Sequence, residues 1–216
     1  MTAPSDELKK SIGKIGVSKY GGSSTKPGYL YHDLPFFKTK THRKGSELRV
    51  KKILSVYDVE GRSGLDIGCS VGGISFRLQN AGAKMVAVDY DPEVIQLAKE
   101  VEKQQNTGVV FQRNRVDQTF IRTLPVYDFI VWFEQWMWLV KQRGEDEAIK
   151  ILKVVSNKTN NLFFSTSQGD GKAKSKMIKS EKDVEVLLRA HTDYLVTNLG
   201  TVDDNWHKRS LFWCCR

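Results

Sequence analysis

The sequence predicts an α/β fold: a doubly wound, mostly parallel sheet of seven strands whose last strand is antiparallel. Three observations carry this. From residue 63 onwards, short apolar runs alternate with longer segments of helical period. The first run, Ser63–Ile67, stops in a glycine-rich turn, Gly68-Cys69-Ser70-Val71-Gly72-Gly73. The last two runs are separated only by residues 200–208, too few for a helical crossover, so they form a hairpin.

The elements follow in order. Residues 1–28, rich in Gly, Ser and Lys, are expected to be a mobile arm. Tyr29–Phe37 is dense in aromatics and is expected to pack as a cover over a site, so residues 1–43 form an arm and cover ahead of a domain spanning 44–216. Lys44–Val56 has helical spacing, with Leu48, Ile53, Leu54 and Tyr57 as inward candidates, and Gly61 ends that unit. Strand Ser63–Ile67 precedes a helix over Val71–Asn80, and strand Lys84–Val88 precedes a helix that starts at Asp91-Pro92, an acidic cap with proline in the first turn. Strands follow at Gly108–Gln112 and Tyr127–Phe133. A helix over Gly144–Asn157 opens with three acidic residues, which suit the positive helix N-terminus. Strand Asn161–Ser165, a lysine-rich loop, a helix over Glu181–Ala190 and strands Tyr194–Leu199 and Arg209–Cys214 complete the chain.

Composition narrows the function classes. The formal charge of +9 comes from two segments: residues 1–60, with twelve Lys/Arg against six Asp/Glu, and residues 168–179, with four Lys against one Asp. That asymmetry suits a polyanionic partner. Three cysteines, Cys69, Cys214 and Cys215, form neither a disulfide framework nor a zinc spacing. The N-terminus lacks a signal-type apolar run, and the longest apolar stretch, Phe129–Val140, is interrupted by Glu134 and Gln135. A cytoplasmic protein without a membrane span is expected.

The chemistry centres on the turn. A dinucleotide site needs G-x-G-x-x-G, and this run fails that pattern. Asp66, just inside the strand end, would repel a pyrophosphate but suits a cationic ligand. The segment Asp66-x-Gly68-x-Ser70-x-Gly72 resembles the D/E-x-G-x-G-x-G signature of class I S-adenosylmethionine-dependent methyltransferases, with Ser70 at the middle glycine. The resemblance implies a Rossmann-like fold and S-adenosyl-L-methionine as cofactor. It also implies that Asp66 acts on the cationic methionine end, that Gly68, Cys69, Ser70 and Gly72 give backbone room, and that Asp89 accepts the ribose hydroxyls. Asn114 or Asp117 would meet the adenine amino group, and Val116 and Tyr90 would flank the ring. Arg49 lies at the interval where several such families place an arginine on the methionine carboxylate, with Arg43 as competitor.

The acceptor is less legible. Trp132-Phe133-Glu134-Gln135-Trp136-Met137-Trp138 lacks D/N-P-P-Y/F and Pro-Cys, which disfavours amino-directed nucleic-acid and cytosine C5 methylation. Most of its aromatics are expected in the core. Tyr127–Val140, with Gly144-Glu145, resembles the RNA 5′-phosphate methyltransferases of the bicoid-interacting type over a short stretch. Methyl transfer from a sulfonium is an in-line displacement on an O or N acceptor, and a base is needed only if the nucleophile must lose a proton. Glu134 and His32 are the candidate catalytic residues. Three readings stand: a methyltransferase for RNA or another polyanion, one for a small metabolite, and a non-catalytic module that kept the fold.

Overall fold

The computed structural model describes residues 4–15, 29–37, 40–43, 45–167, 177–203 and 208–216. Strands β1 (Tyr29–His32) and β2 (Lys40–Arg43) pair with each other in parallel, apart from the main sheet. The main sheet holds β3 (Ser63–Ile67), β4 (Lys84–Asp89), β5 (Val110–Arg113), β6 (Phe129–Phe133), β7 (Asn161–Ser165), β8 (Leu195–Asp203) and β9 (Lys208–Cys215). Its order is β5-β4-β3-β6-β7-β9-β8, the doubly wound arrangement that the sequence predicts. All neighbours are parallel until β9, which enters antiparallel between β7 and β8, as the short connection between residues 203 and 208 requires. The sheet reverses winding between β3 and β6. Loops leaving the carboxyl ends of these two strands therefore diverge and leave a crevice.

Helices α1 (Asp6–Ile15), α2 (Ser46–Leu54), α3 (Gly73–Asn80) and α4 (Pro92–Gln105) contribute to the apolar core on one face. Helices α5 (Gln118–Thr123), α6 (Trp136–Arg143), α7 (Glu145–Ser156) and α8 (Glu181–His191) contribute to the core on the other. Asp91 caps α4 by accepting from the Glu93 and Val94 amides, with Pro92 at the first turn, as expected.

The structure differs from the sequence reading in three places. Within the expected mobile arm, residues 6–15 form α1, and Leu8 and Ile12 are buried in the core that includes α4. Their i, i+4 spacing makes one apolar stripe on an otherwise polar helix. The rest of the arm, residues 16–28, lies outside the described residues. In α2 the inward face is Ser46, Arg49, Val50 and Ile53, whereas Leu48 and Leu54 are 42% exposed. An arginine has thus displaced leucine from the buried stripe. Helices α5 and α6 went unread. The first is a six-residue helix capped by Asp117, and the second is apolar over much of its surface and follows the apolar β6 without a clear helix start.

Candidate functional site

At the carboxyl edge of β3, the chain must turn sharply into α3. Gly68 (φ 77°), Ser70 (φ 51°) and Gly72 (φ 86°) all adopt left-handed backbone. Serine at that conformation is uncommon and costs about 1–2 kcal/mol relative to glycine. Its amide donates to Asp89 Oδ2 at 3.0 Å, tying the turn to the end of β4. Asp89 Oδ1 accepts from the Asp91 amide at 3.1 Å. Asp66 Oδ2 accepts from Ser75 Oγ at 2.6 Å.

Asp66 and Asp89 are 3% and 5% exposed, and among the described residues neither is ion-paired. Burial pushes the Asp66 carboxyl up to about 7, opposed by the Ser75 hydrogen bonds and reinforced by the negative charge of Asp89. Burial also raises Asp89, against the pull of the Asp91 and Ser70 amides. Two buried, uncompensated carboxylates are a costly arrangement for a protein without a cationic ligand. Burial, with the negative charges of Asp66 and Asp89, raises the Cys69 thiol well above its usual range and so disfavours the thiolate.

Two cavities adjoin these groups. The larger, about 170 Å³, is lined on its β4–β5 side by Ser70, Asp89, Tyr90, Asn114, Arg115 and Val116. From α6 and its approach it takes Gln135, Trp138, Leu139, Gln142 and Arg143. The smaller, about 30 Å³, is lined by Arg49, Asp66, Cys69, Gly73 and Ile74. Gly68, Phe133 and Glu134 border both, so the two are compartments of one crevice. Ser70 Oγ is buried there without a hydrogen-bond partner.

The structure brings together Asp66, Gly68, Cys69, Ser70, Asp89, Tyr90, Asn114, Val116, Arg49 and Glu134 around this crevice. Gly72 stands apart. It lines neither compartment, and a Cβ there would meet the Phe111 ring at 2.6 Å, so its glycine serves the turn and the core. Asp117 caps α5 by accepting from the Phe120 amide and faces Arg143 at 3.6 Å. His32 ends β1, and the expectation for its side chain lies outside the described residues, as does that for Arg43. The next residue, Asp33, is held at the turn. Its carbonyl accepts from Arg77 Nη1 at 3.2 Å, and its carboxylate pairs with Arg77 Nη2.

Glu134, a candidate catalytic residue, has both carboxylate oxygens engaged. Oε1 accepts from Arg49 Nη2 at 3.3 Å and Ser165 Oγ at 3.1 Å. Oε2 faces Arg209 Nη1 at 2.9 Å and accepts from Ser167 Oγ at 3.4 Å. The Arg49 guanidinium also lies 5.6 Å from the Phe133 ring centroid. Trp132 and Trp136 pack edge-on to Phe164 in the core, whereas Trp138 is 49% exposed.

Sequence reasoning missed Leu139, Gln142, Arg143 and Arg209. The first three follow from Gln135 and Trp138 at helical spacing, a signal hidden because α6 went unread. Arg209 carried only the oddity of a cation opening an apolar strand.

Residues 65–156 match the family model described as a methyltransferase domain. No curated protein matches the chain by sequence. Among solved structures, the bifunctional kinase-methyltransferase WbdD superposes with TM-score 0.75 and 16% identity, covering 88% of this chain and 44% of that one. The chain therefore spans under half of WbdD's length. Magnesium protoporphyrin IX methyltransferase (ChlM) from Synechocystis PCC 6803, solved with bound SAM, gives TM-score 0.63 at 15% identity, covering 79% of this chain and 77% of that one. No described helix is long and apolar enough to cross a membrane.

Proposed function

We propose that this chain, which has the class I methyltransferase fold and matches a methyltransferase domain over residues 65–156, is an S-adenosylmethionine-dependent methyltransferase. One observation carries the reading. Asp66 and Asp89, buried and un-ion-paired among the described residues, face adjoining compartments of one crevice at the sheet's winding reversal. That donor set suits a ligand with an ammonium at one end and a ribose diol at the other. The orphaned Ser70 hydroxyl fits the same ligand, and glycine at position 68 leaves room for the Gln135 side chain, which packs against its backbone.

S-adenosylmethionine, when bound, supplies a methyl group already activated on a sulfonium. The protein's part is placement and exclusion of water. We assign Asp66 to the ammonium, Arg49 to the carboxylate, Asp89 to the ribose hydroxyls, and Asn114, Val116 and Tyr90 to the adenine. Each Asp89 oxygen accepts one backbone amide and retains a second lone pair for a hydroxyl. With both oxygens engaged by arginine and serine, Glu134 is assigned to positioning. The proposal for His32 as proton acceptor rests on its place beside Asp33 at the turn.

For the acceptor we favour RNA or another polyanion. Arg115 and Arg143 line the larger compartment with Trp138, which is about half exposed. Lys141 sits 5.3 Å from the Trp138 ring centroid. An exposed tryptophan among cations suits a nucleobase flanked by phosphates. The lysine-rich segment of residues 168–176 lies outside the described residues. Filter binding of RNA across a salt series tests this: affinity falling steeply with salt supports it, and absent or salt-independent binding overturns it. A small-metabolite acceptor is the second reading, supported by the docking of residues 33–37 against α3, which screens one side of the turn. Activity on a metabolite panel with none on RNA would favour it.

A further inference from the structure

Arg209 lines neither compartment, yet it is 4% exposed and reaches Glu134, one of the residues that border both. It stands near the start of β9, the antiparallel strand, where that strand meets the carboxyl edge of β7. Its partner Glu134 follows β6 directly and holds φ 61°, a left-handed backbone that a branched-free but bulky residue adopts only when its surroundings fix it. The Glu134 amide donates to the Ser165 carbonyl at 2.8 Å, so strand, strain and side chain are anchored together.

The result is a charged row, Arg209–Glu134–Arg49, with the carboxylate between two buried guanidiniums at 2.9 and 3.3 Å. Arg49 and Glu134 both line the small compartment beside Asp66, whereas Arg209 lines neither. An arginine side chain carries about 2 kcal/mol of rotamer entropy, and a bound anion is held well only if that freedom is already lost. Glu134 removes it at Arg49, and Arg209 in turn fixes Glu134. Without Arg209, the Glu134 carboxylate keeps Arg49 and the Ser165 and Ser167 hydroxyls but loses the cation opposite Arg49, so Arg49 is held less firmly in direction.

We propose that Arg209 is a positioning residue for the amino-acid end of the cofactor site, acting through Glu134 on Arg49. This rests on the S-adenosylmethionine reading above. It predicts a selective effect, because only a ligand with an α-carboxylate uses Arg49. S-adenosylhomocysteine has that group, whereas 5′-methylthioadenosine keeps the adenosine and lacks the amino-acid half.

The test is calorimetric binding of both ligands to the full chain, wild type against Arg209→Met and Arg209→Lys. Arg209→Met is expected to weaken S-adenosylhomocysteine on the order of tenfold, the scale of one hydrogen bond to a charged group. It should leave 5′-methylthioadenosine within about twofold by the same scale, and Arg209→Lys should restore most of the loss. Equal weakening of both ligands, or of neither, overturns the positioning role while leaving the cofactor reading intact. Failure of the wild type to bind either ligand overturns the cofactor reading itself. Should Arg209→Met not fold, Glu134→Gln, which keeps the shape and removes the charge, must show the same selectivity, and equal loss of both ligands there also overturns the proposal.

Discussion

Asp66→Asn separates the charge of the buried carboxylate from its shape, since asparagine can still accept from Ser75 Oγ through its amide oxygen. In the folded protein, burial raises Asp66 from 3.8 to about 7. The sign follows from proton counting. Below pH 3.8 both folded and unfolded chains hold the proton, so there is no penalty. As pH rises towards about 7, the unfolded chain has lost the proton and the folded one has not, so stability falls through that window and the loss is complete above it. The span corresponds to on the order of 4 kcal/mol, so Asp66→Asn should be more stable than wild type near neutral pH and equal to it in acid. Binding runs the other way. A cationic ligand needs the ionised form, so S-adenosylmethionine should bind roughly tenfold more weakly at about pH 6 than at about pH 8. Asp89, also raised by burial, acts in the same direction, so the variant keeps a shallower slope. The assays are thermal melts of the free protein and calorimetry across that pH range. A pH-independent wild-type affinity, or an Asp66→Asn profile as steep as the wild type's, would refute the assignment.

Other outcomes follow from the same geometry. Asp89→Ala should abolish binding of both S-adenosylhomocysteine and 5′-methylthioadenosine in calorimetry, because it removes the group assigned to the ribose that both share; retained binding of either would count against that assignment. Ser70→Gly should raise stability by about 1 kcal/mol in denaturant melts, since glycine relieves the left-handed backbone at φ 51°. Gly72→Ala should destabilise by about 3 kcal/mol, combining that backbone cost with a clash against the rigid Phe111 ring; an unchanged denaturation midpoint would contradict it. Trp138→Ala should weaken RNA binding by about 1–3 kcal/mol, the range for a base stacked on an aromatic, without altering S-adenosylhomocysteine affinity.

The fold was legible because its signals are local. Asn161–Ser165 and Ser63–Ile67 are strands bounded as their apolar runs end, and Asp91-Pro92 starts α4 by chemistry that needs no partner. Asp66 and Asp89 were singled out on local grounds too: each is a carboxylate at or just inside the end of an apolar run. What escaped depends on contacts distant in sequence. Nothing near Arg209 reports that Glu134 lies within reach, because the two are joined only when β9 inserts beside β7. Nor does the stretch around Glu134 reveal that Arg49, 85 residues earlier, occupies one of its oxygens. Glu134 therefore read as a candidate base, and only the folded arrangement shows which groups engage its oxygens. Helix α6 was hidden by its apolar surface, and with it the Leu139, Gln142 and Arg143 wall of the crevice.

The central claim is that the crevice between Asp66 and Asp89 delivers a methyl group. Incubation of the protein with methyl-labelled S-adenosylmethionine and a fractionated cell extract tests it most directly. Label entering one fraction, RNA on the favoured reading, and lost with Asp89→Ala, is the predicted result. No label in nucleic acid, protein or small-molecule fractions, from a protein that melts cooperatively, would contradict it.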